Sequence, residues 1–157
     1  MKVERIAALV VAVFSLLVCI ADFVVPLFMA LGLEGASSFF RDVLSLLCHQ
    51  HFDRSLTLLG WQMGLCSRCS AIFLSSFLAG AVVALKPGLV DRKLPAYMFA
   101  LAGFIVLVAE KSLTFALQID FHTALRMLVG ALYGAGVAVL FVRVAGDLTS
   151  LLLKRRT

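Results

Sequence analysis

Four long apolar runs, separated by short polar breaks, dominate the chain. The first goes from Ile6 to about Leu31 and is interrupted only by Asp22 and Pro26. The second goes from about Cys69 to Leu85 and stops at Lys86-Pro87-Gly88. The third covers about Leu94 to Ala109. The fourth covers about Leu125 to Val142, and its continuation to Leu153 reads as an interfacial helix. About 20 apolar residues in helical form cross ~30 Å of hydrocarbon, and lipid tolerates no unpaired backbone groups. The pattern predicts transmembrane helices near 6–31, 69–85, 94–109 and 125–142. Lys2 and Arg5 precede the first run as they would a secretory leader. The run is too long for a leader core, and no small-residue cleavage pattern follows it.

The segment from 32 to 68 has a different period. From Ser37 to Leu47, Phe39, Phe40, Val43, Leu44 and Leu47 fall on one helical face, opposite Arg41, Asp42 and Ser45. That spacing predicts a short amphipathic helix lying on the membrane surface. Trp61 suits an interfacial anchor. The expected architecture is an all-α, four-transmembrane helical bundle with an amphipathic outer-surface helix, one integral membrane domain over 1–157.

Composition agrees. The chain of 157 residues is 62% hydrophobic with only 15% charged residues, and its mean hydropathy is +1.07. A soluble domain is nearer half apolar. The net charge of +5 does not imply nucleic acid, because there is no basic face with interleaved aromatics. The basic residues cluster at segment ends instead: Lys2 and Arg5, then Lys86, Arg92 and Lys93, then Lys154, Arg155 and Arg156. With four spans these clusters share one side, which the positive-inside rule makes cytoplasmic. Both termini are then inside and the 32–68 loop is outside. A shorter outer loop is expected from Lys111 to Thr123.

The chemistry concentrates in Cys48-His49-Gln50-His51 and Cys66-Ser67-Arg68-Cys69. The start of a helix offers unpaired N–H groups and a positive dipole end. A thiol there ionises more readily, and Arg68 would act in the same direction. Thiolate both binds metal and attacks disulfides. Cys48, Cys66 and Cys69 with His49 match a Cys3His shell for a zinc-like ion, with His51 or His122 as substitute for the nitrogen ligand. The alternative is a redox pair, Cys66 and Cys69, with Cys48 as partner thiol and a membrane quinone as electron acceptor. Each histidine alone also suits an ordinary polar loop position. Cys19, inside an apolar run, reads as a packing thiol.

Asp22 and Glu110 each lie ~24 Å along a span from its inner end, on the helical rise of ~1.5 Å per residue. Arg126 opens the fourth span. These residues should share one outer polar layer with the cysteines, where ionisable groups face a partner or a cavity. Arg54, Arg68 and Arg126 suit an anionic lipid head group or a small anion, through a fork of donors. The competing reading pairs them with Asp22, Asp53, Glu110 or Asp120. Gly130-x-x-x-Gly134 and Ser76-x-x-x-Gly80 are small-residue faces for close helix packing. An oligomer is compatible with the sequence.

Cys48-His49-Gln50, Arg54-Ser55, Gly60, Cys66-x-Arg68-Cys69 and Arg126-x-x-x-Gly130-x-x-x-Gly134 together resemble the signature of a prokaryotic family of small membrane proteins, classed as a domain of unknown function. The resemblance runs from about Leu47 to Gly134. It implies a prokaryotic cell membrane and a shared role for Cys48, His49, Arg54, Cys66, Arg68, Cys69 and Arg126. The family commonly carries an aspartate late in the third span, where this chain has Glu110. The topology, with Cys-x-x-Cys at the outer start of span two, also resembles the bacterial disulfide-generating oxidase that reduces quinone, and more loosely vitamin K epoxide reductase. The oxidase has a second cysteine pair in its second outer loop, and 111–123 holds none. At this level the site reads as a structural ion, a water-activating ion or a redox pair.

Overall fold

The computed structural model describes residues 2–50, 54–86, 88, 93–117 and 122–154. The elements, in chain order, are α1 (Lys2–Ala30), α2 (Glu34–Ser45), β1 (Ser55–Leu58), β2 (Trp61–Cys66), α3 (Ser67–Leu85), α4 (Lys93–Leu117) and α5 (Thr123–Lys154). The four long helices each contain a stretch long and apolar enough to cross a membrane: Val3–Ala30, Ser67–Leu85, Tyr97–Leu117 and Thr123–Leu151. The predicted bundle and its amphipathic α2 are both present.

The chain runs back and forth, with α3 packed between α1 and α5 and with α4 resting on α5. Close approach depends on small residues. A Cβ at Gly130 would lie 2.6 Å from the Arg68 carbonyl oxygen, and one at Gly134 would collide with the Ile72 carbonyl and Ser75 Oγ. Ser76 Oγ also donates to the Gly134 carbonyl at 2.9 Å. One helix further, Gly80 brings α3 against the backbone of Ala8 and Ala12. The two motifs thus join α3 to α5 and to α1.

The start of α1 and the end of α5 lie at the end of the bundle away from the thiols. There Arg143 of α5 contacts Glu4 of α1 at 3.1 Å and Asp147 at 3.1 Å. Tyr97 of α4 donates to the other Asp147 oxygen at 3.1 Å. This polar lock was not anticipated, because hydropathy alone treats Arg143 as a stray charge near the end of a span.

Two expectations about the connections change. The third span does not stop at Ala109. Its helix continues through Glu110 and Lys111 to Leu117, because an acid and a base in mid-helix are tolerated once the acid has a buried partner. Residues 118–121 of the expected second outer loop lie outside the described residues. The 32–68 segment also holds a β-hairpin. Ser55 pairs with Cys66, Thr57 with Gln62 and Leu58 with Trp61, with an irregularity between Ser55 and Thr57. Leu59 and Gly60 turn the hairpin with φ of 55° and 81°, the paired positive values that match the twist of a tight hairpin.

Candidate metal centre

Three elements bring three thiols together. Cys48 follows α2, whose docking sets its position. Ser37 Oγ donates to the Val25 carbonyl at 3.0 Å, and Leu44 is buried beside Val18, Val25 and Leu65. The Cys48 N–H then donates to the Leu44 carbonyl at 3.1 Å, extending the last turn so that the thiol faces inward and is buried. Gln50 takes a left-handed backbone, φ 46°. That fold-back brings its N–H to 3.5 Å from Cys48 Sγ, and its side-chain amide donates to the Arg41 carbonyl at 2.6 Å. Gln50 therefore holds both the loop and the sulfur, a role that reading the motif as a ligand list passes over.

Cys66 ends β2 and is the residue from which α3 starts, in extended conformation (φ −72°, ψ 154°). Cys69 lies in the first turn. This junction is fixed by Asp22, which is only 2% exposed. Its carboxylate accepts from the Leu65 N–H at 2.7 Å and from Ser70 Oγ at 2.7 Å. One carboxylate on α1 thus anchors the residue before Cys66 and the residue after Cys69. Asp22 serves the polar layer as an acceptor for the Leu65 backbone and the Ser70 hydroxyl.

The sulfurs of Cys48, Cys66 and Cys69 all lie within 4.8 Å of one another, and no disulfide joins them. Cys48 Sγ donates to Cys66 Sγ at 3.4 Å. A tetrahedral ion with Zn–S bonds of ~2.3 Å needs sulfurs about 3.8 Å apart, so the group is close to the required spacing. The Cys66 thiol is pushed well below its ordinary pKa, first by the Cys48 thiol and then by Cys69, with further help from the N–H groups of Cys69 and Arg68 against the opposing effect of burial. Helix-start amides are therefore part of the cause, as the sequence position suggested.

The other expected site residues are distributed as follows. His49 is exposed and lies outside the cluster of ligand atoms, and so does His122, just before α5. His51 and Asp53 lie outside the described residues. Arg68 turns to α4, where one of its terminal nitrogens meets the two Glu110 oxygens at 2.5 and 2.6 Å. Both partners are largely buried, at 13% and 5% exposure. Arg54 is half-buried immediately before β1, and Arg126 is buried in the first turn of α5. Cys19 is buried in α1 apart from the three-thiol group.

The family model described as "Predicted membrane protein (DUF2085)" matches residues 48–140, and the chain belongs to that family. The match begins at Cys48 and takes in all three thiols, the hairpin, Arg68, Glu110 and Arg126. No curated protein and no solved structure matches the chain.

Proposed function

We propose that this is an integral membrane metal-binding protein in which Cys48, Cys66 and Cys69 hold a zinc-like ion at the outer face of a prokaryotic cell membrane. The observation that carries this reading is the convergence within 4.8 Å of the Cys48 sulfur with the two sulfurs of the Cys66-x-x-Cys69 motif, 18 residues further along the chain. Such a grouping is costly to arrange by chance, since it requires α2, the hairpin and α3 to be docked at once. Thiolate-favouring surroundings at Cys66 support it. The ion clamps the 32–68 segment to the bundle. With three protein ligands, the fourth position goes to water, which such an ion can activate, or to an imidazole from the 49–51 segment.

The test is elemental analysis of protein purified without added metal. One equivalent of a zinc-like metal is expected, and it should be missing from a Cys66→Ser/Cys69→Ser variant. Sub-stoichiometric metal that does not change in that variant rules the reading out.

The 3.4 Å approach of Cys48 Sγ to Cys66 Sγ favours a second reading. Two thiols so placed could close to a disulfide, giving two electrons and two protons to a membrane quinone, which leaves as quinol. Acid trapping of thiols separates the two. A Cys48–Cys66 or Cys66–Cys69 disulfide that forms with quinone belongs to the redox case. Thiols that become reactive only after a chelator is added belong to the metal case.

A further inference from the structure

A cavity of about 590 Å³ opens beside the thiol centre, between α1, α3 and α5 and under β1. Its walls include Phe23, Leu74, Leu78 and Leu128, all within the membrane-crossing stretches. Among the described residues no charged side chain lines it. A second groove of about 390 Å³ runs down the α1–α3 face and shares Cys19, Phe23 and Leu74 with the first. The two grooves therefore fork from a common point. The size and near-uniform apolarity, with a few placed hydroxyls, are those of a small-molecule site.

The hydroxyls restrict the ligand. Ser70 and Ser75 line the cavity. Ser70 Oγ gives its proton to Asp22 at 2.7 Å, and Ser75 Oγ gives its proton to the Ile72 carbonyl at 3.0 Å. Both oxygens offer the cavity lone pairs only, so a ligand head must donate. Thr57, exposed on β1, adds a hydroxyl that can donate to an ester carbonyl. Ser70 is one turn below the start of α3, about 5 Å along the helix, which is the depth of a lipid head rather than of the bilayer centre. Arg68, the nearest arginine in sequence, is turned to Glu110 and does not line the cavity.

We propose that this forked cavity binds a diacylglycerol: an uncharged lipid with two acyl chains, one for each groove, and a free hydroxyl that donates to Ser70 or Ser75. The absence of a cation among the described lining residues disfavours a phosphate head, the acceptor-only serines call for a donating hydroxyl that an oxidised quinone lacks, and the fork disfavours a single-chain lipid. The site is independent of what the thiols hold.

The test uses the full chain in phosphatidylcholine nanodiscs, with a diazirine-bearing diacylglycerol as photoprobe and peptide mapping as readout. Labelling should concentrate on residues 70–78 and 127–131. Unlabelled dioleoylglycerol should compete about fivefold better than its 3-O-methyl ether, the value of one neutral hydrogen bond. Leu74→Trp, which fills the fork from a half-exposed position, should abolish the labelling while metal content stays as in wild type. Labelling spread evenly over the lipid-facing surface overturns the proposal. So does equal competition by the ether, or better competition by a quinol or by phosphatidic acid. The competition arms use the wild-type chain, so they decide the matter even if Leu74→Trp does not fold.

Discussion

At the scale of single residues, the site divides into groups that can hold an ion and groups that hold those groups. The three sulfurs converge, but His49 is exposed beside Cys48, as expected of neighbours in sequence that cannot both face one point. His49→Ala should therefore keep its full metal content, whereas Cys48→Ser should lose it. Loss of metal in His49→Ala would return that imidazole to the coordination shell. The three cysteines were legible from their types and spacing. Their supports, Gln50 and Ser70, were not, because an amide and a hydroxyl are common and only backbone geometry gives them a role. Asp22 was legible as a costly charge in a span, but not as the acceptor for Leu65 and Ser70. Asp22→Ala removes both acceptors and leaves the buried Leu65 N–H without its carboxylate partner. Hydrogen bonds to a charged group contribute about 1.5–3 kcal/mol, so unfolding in detergent should move to markedly lower temperature. The thiols should also alkylate faster in this variant after chelation. Unchanged stability and unchanged alkylation would show that Asp22 does not organise the junction.

At the scale of elements, hydropathy located the four helices and helical periodicity located α2, because burial in lipid and at its surface imposes strong constraints on the sequence. The hairpin escaped notice because Ser55–Cys66 is short, and its Leu59-Gly60 turn lacks the usual Asn or Asp signal. Glu110-Lys111 reads as a polar boundary in the sequence, which hides the continuation of α4 to Leu117. The true status of Glu110 depends on Arg68, 42 positions away in the chain. This pair bridges α3 and α4 where the bundle is otherwise joined through α5. Removing one partner leaves a buried charge, which costs about 3–5 kcal/mol, while replacing both with apolar residues can be nearly neutral. Glu110→Leu should therefore destabilise the protein strongly, and Arg68→Met/Glu110→Leu should recover most of the loss. If the double variant is as unstable as the single one, Arg68 has a second role, for instance at the thiol junction it adjoins.

At the scale of the whole molecule, the four helices separate two kinds of polar layer. The thiol end carries the Asp22 junction, the three-thiol group and the Arg68–Glu110 pair. The other end carries Glu4, Arg143, Asp147 and Tyr97, joining the first, last and third long helices. An even number of alternating spans brings the start of α1 and the end of α5 to this second end. The sequence carries basic clusters at 2–5, 86–93 and 154–156, all on the side that the alternation of four spans assigns to this end. Translocating such clusters is unfavourable, so the positive-inside rule predicts that this end is cytoplasmic, from their common side and not from any one of them. The expected outcome is that a phosphatase fused after Thr157, active only outside the membrane, stays silent, whereas a fluorescent protein that folds only inside is bright. Single cysteine substitutions at Leu59 in the hairpin, made on a background lacking the native thiols, should be labelled by an impermeant maleimide from outside. An active phosphatase at Thr157 would invert the bundle. It would place the thiol centre in the reducing cytoplasm, where a metal remains chemically reasonable but a disulfide exchanging with a quinone does not. The orientation measurement therefore also weighs the two readings of the thiols.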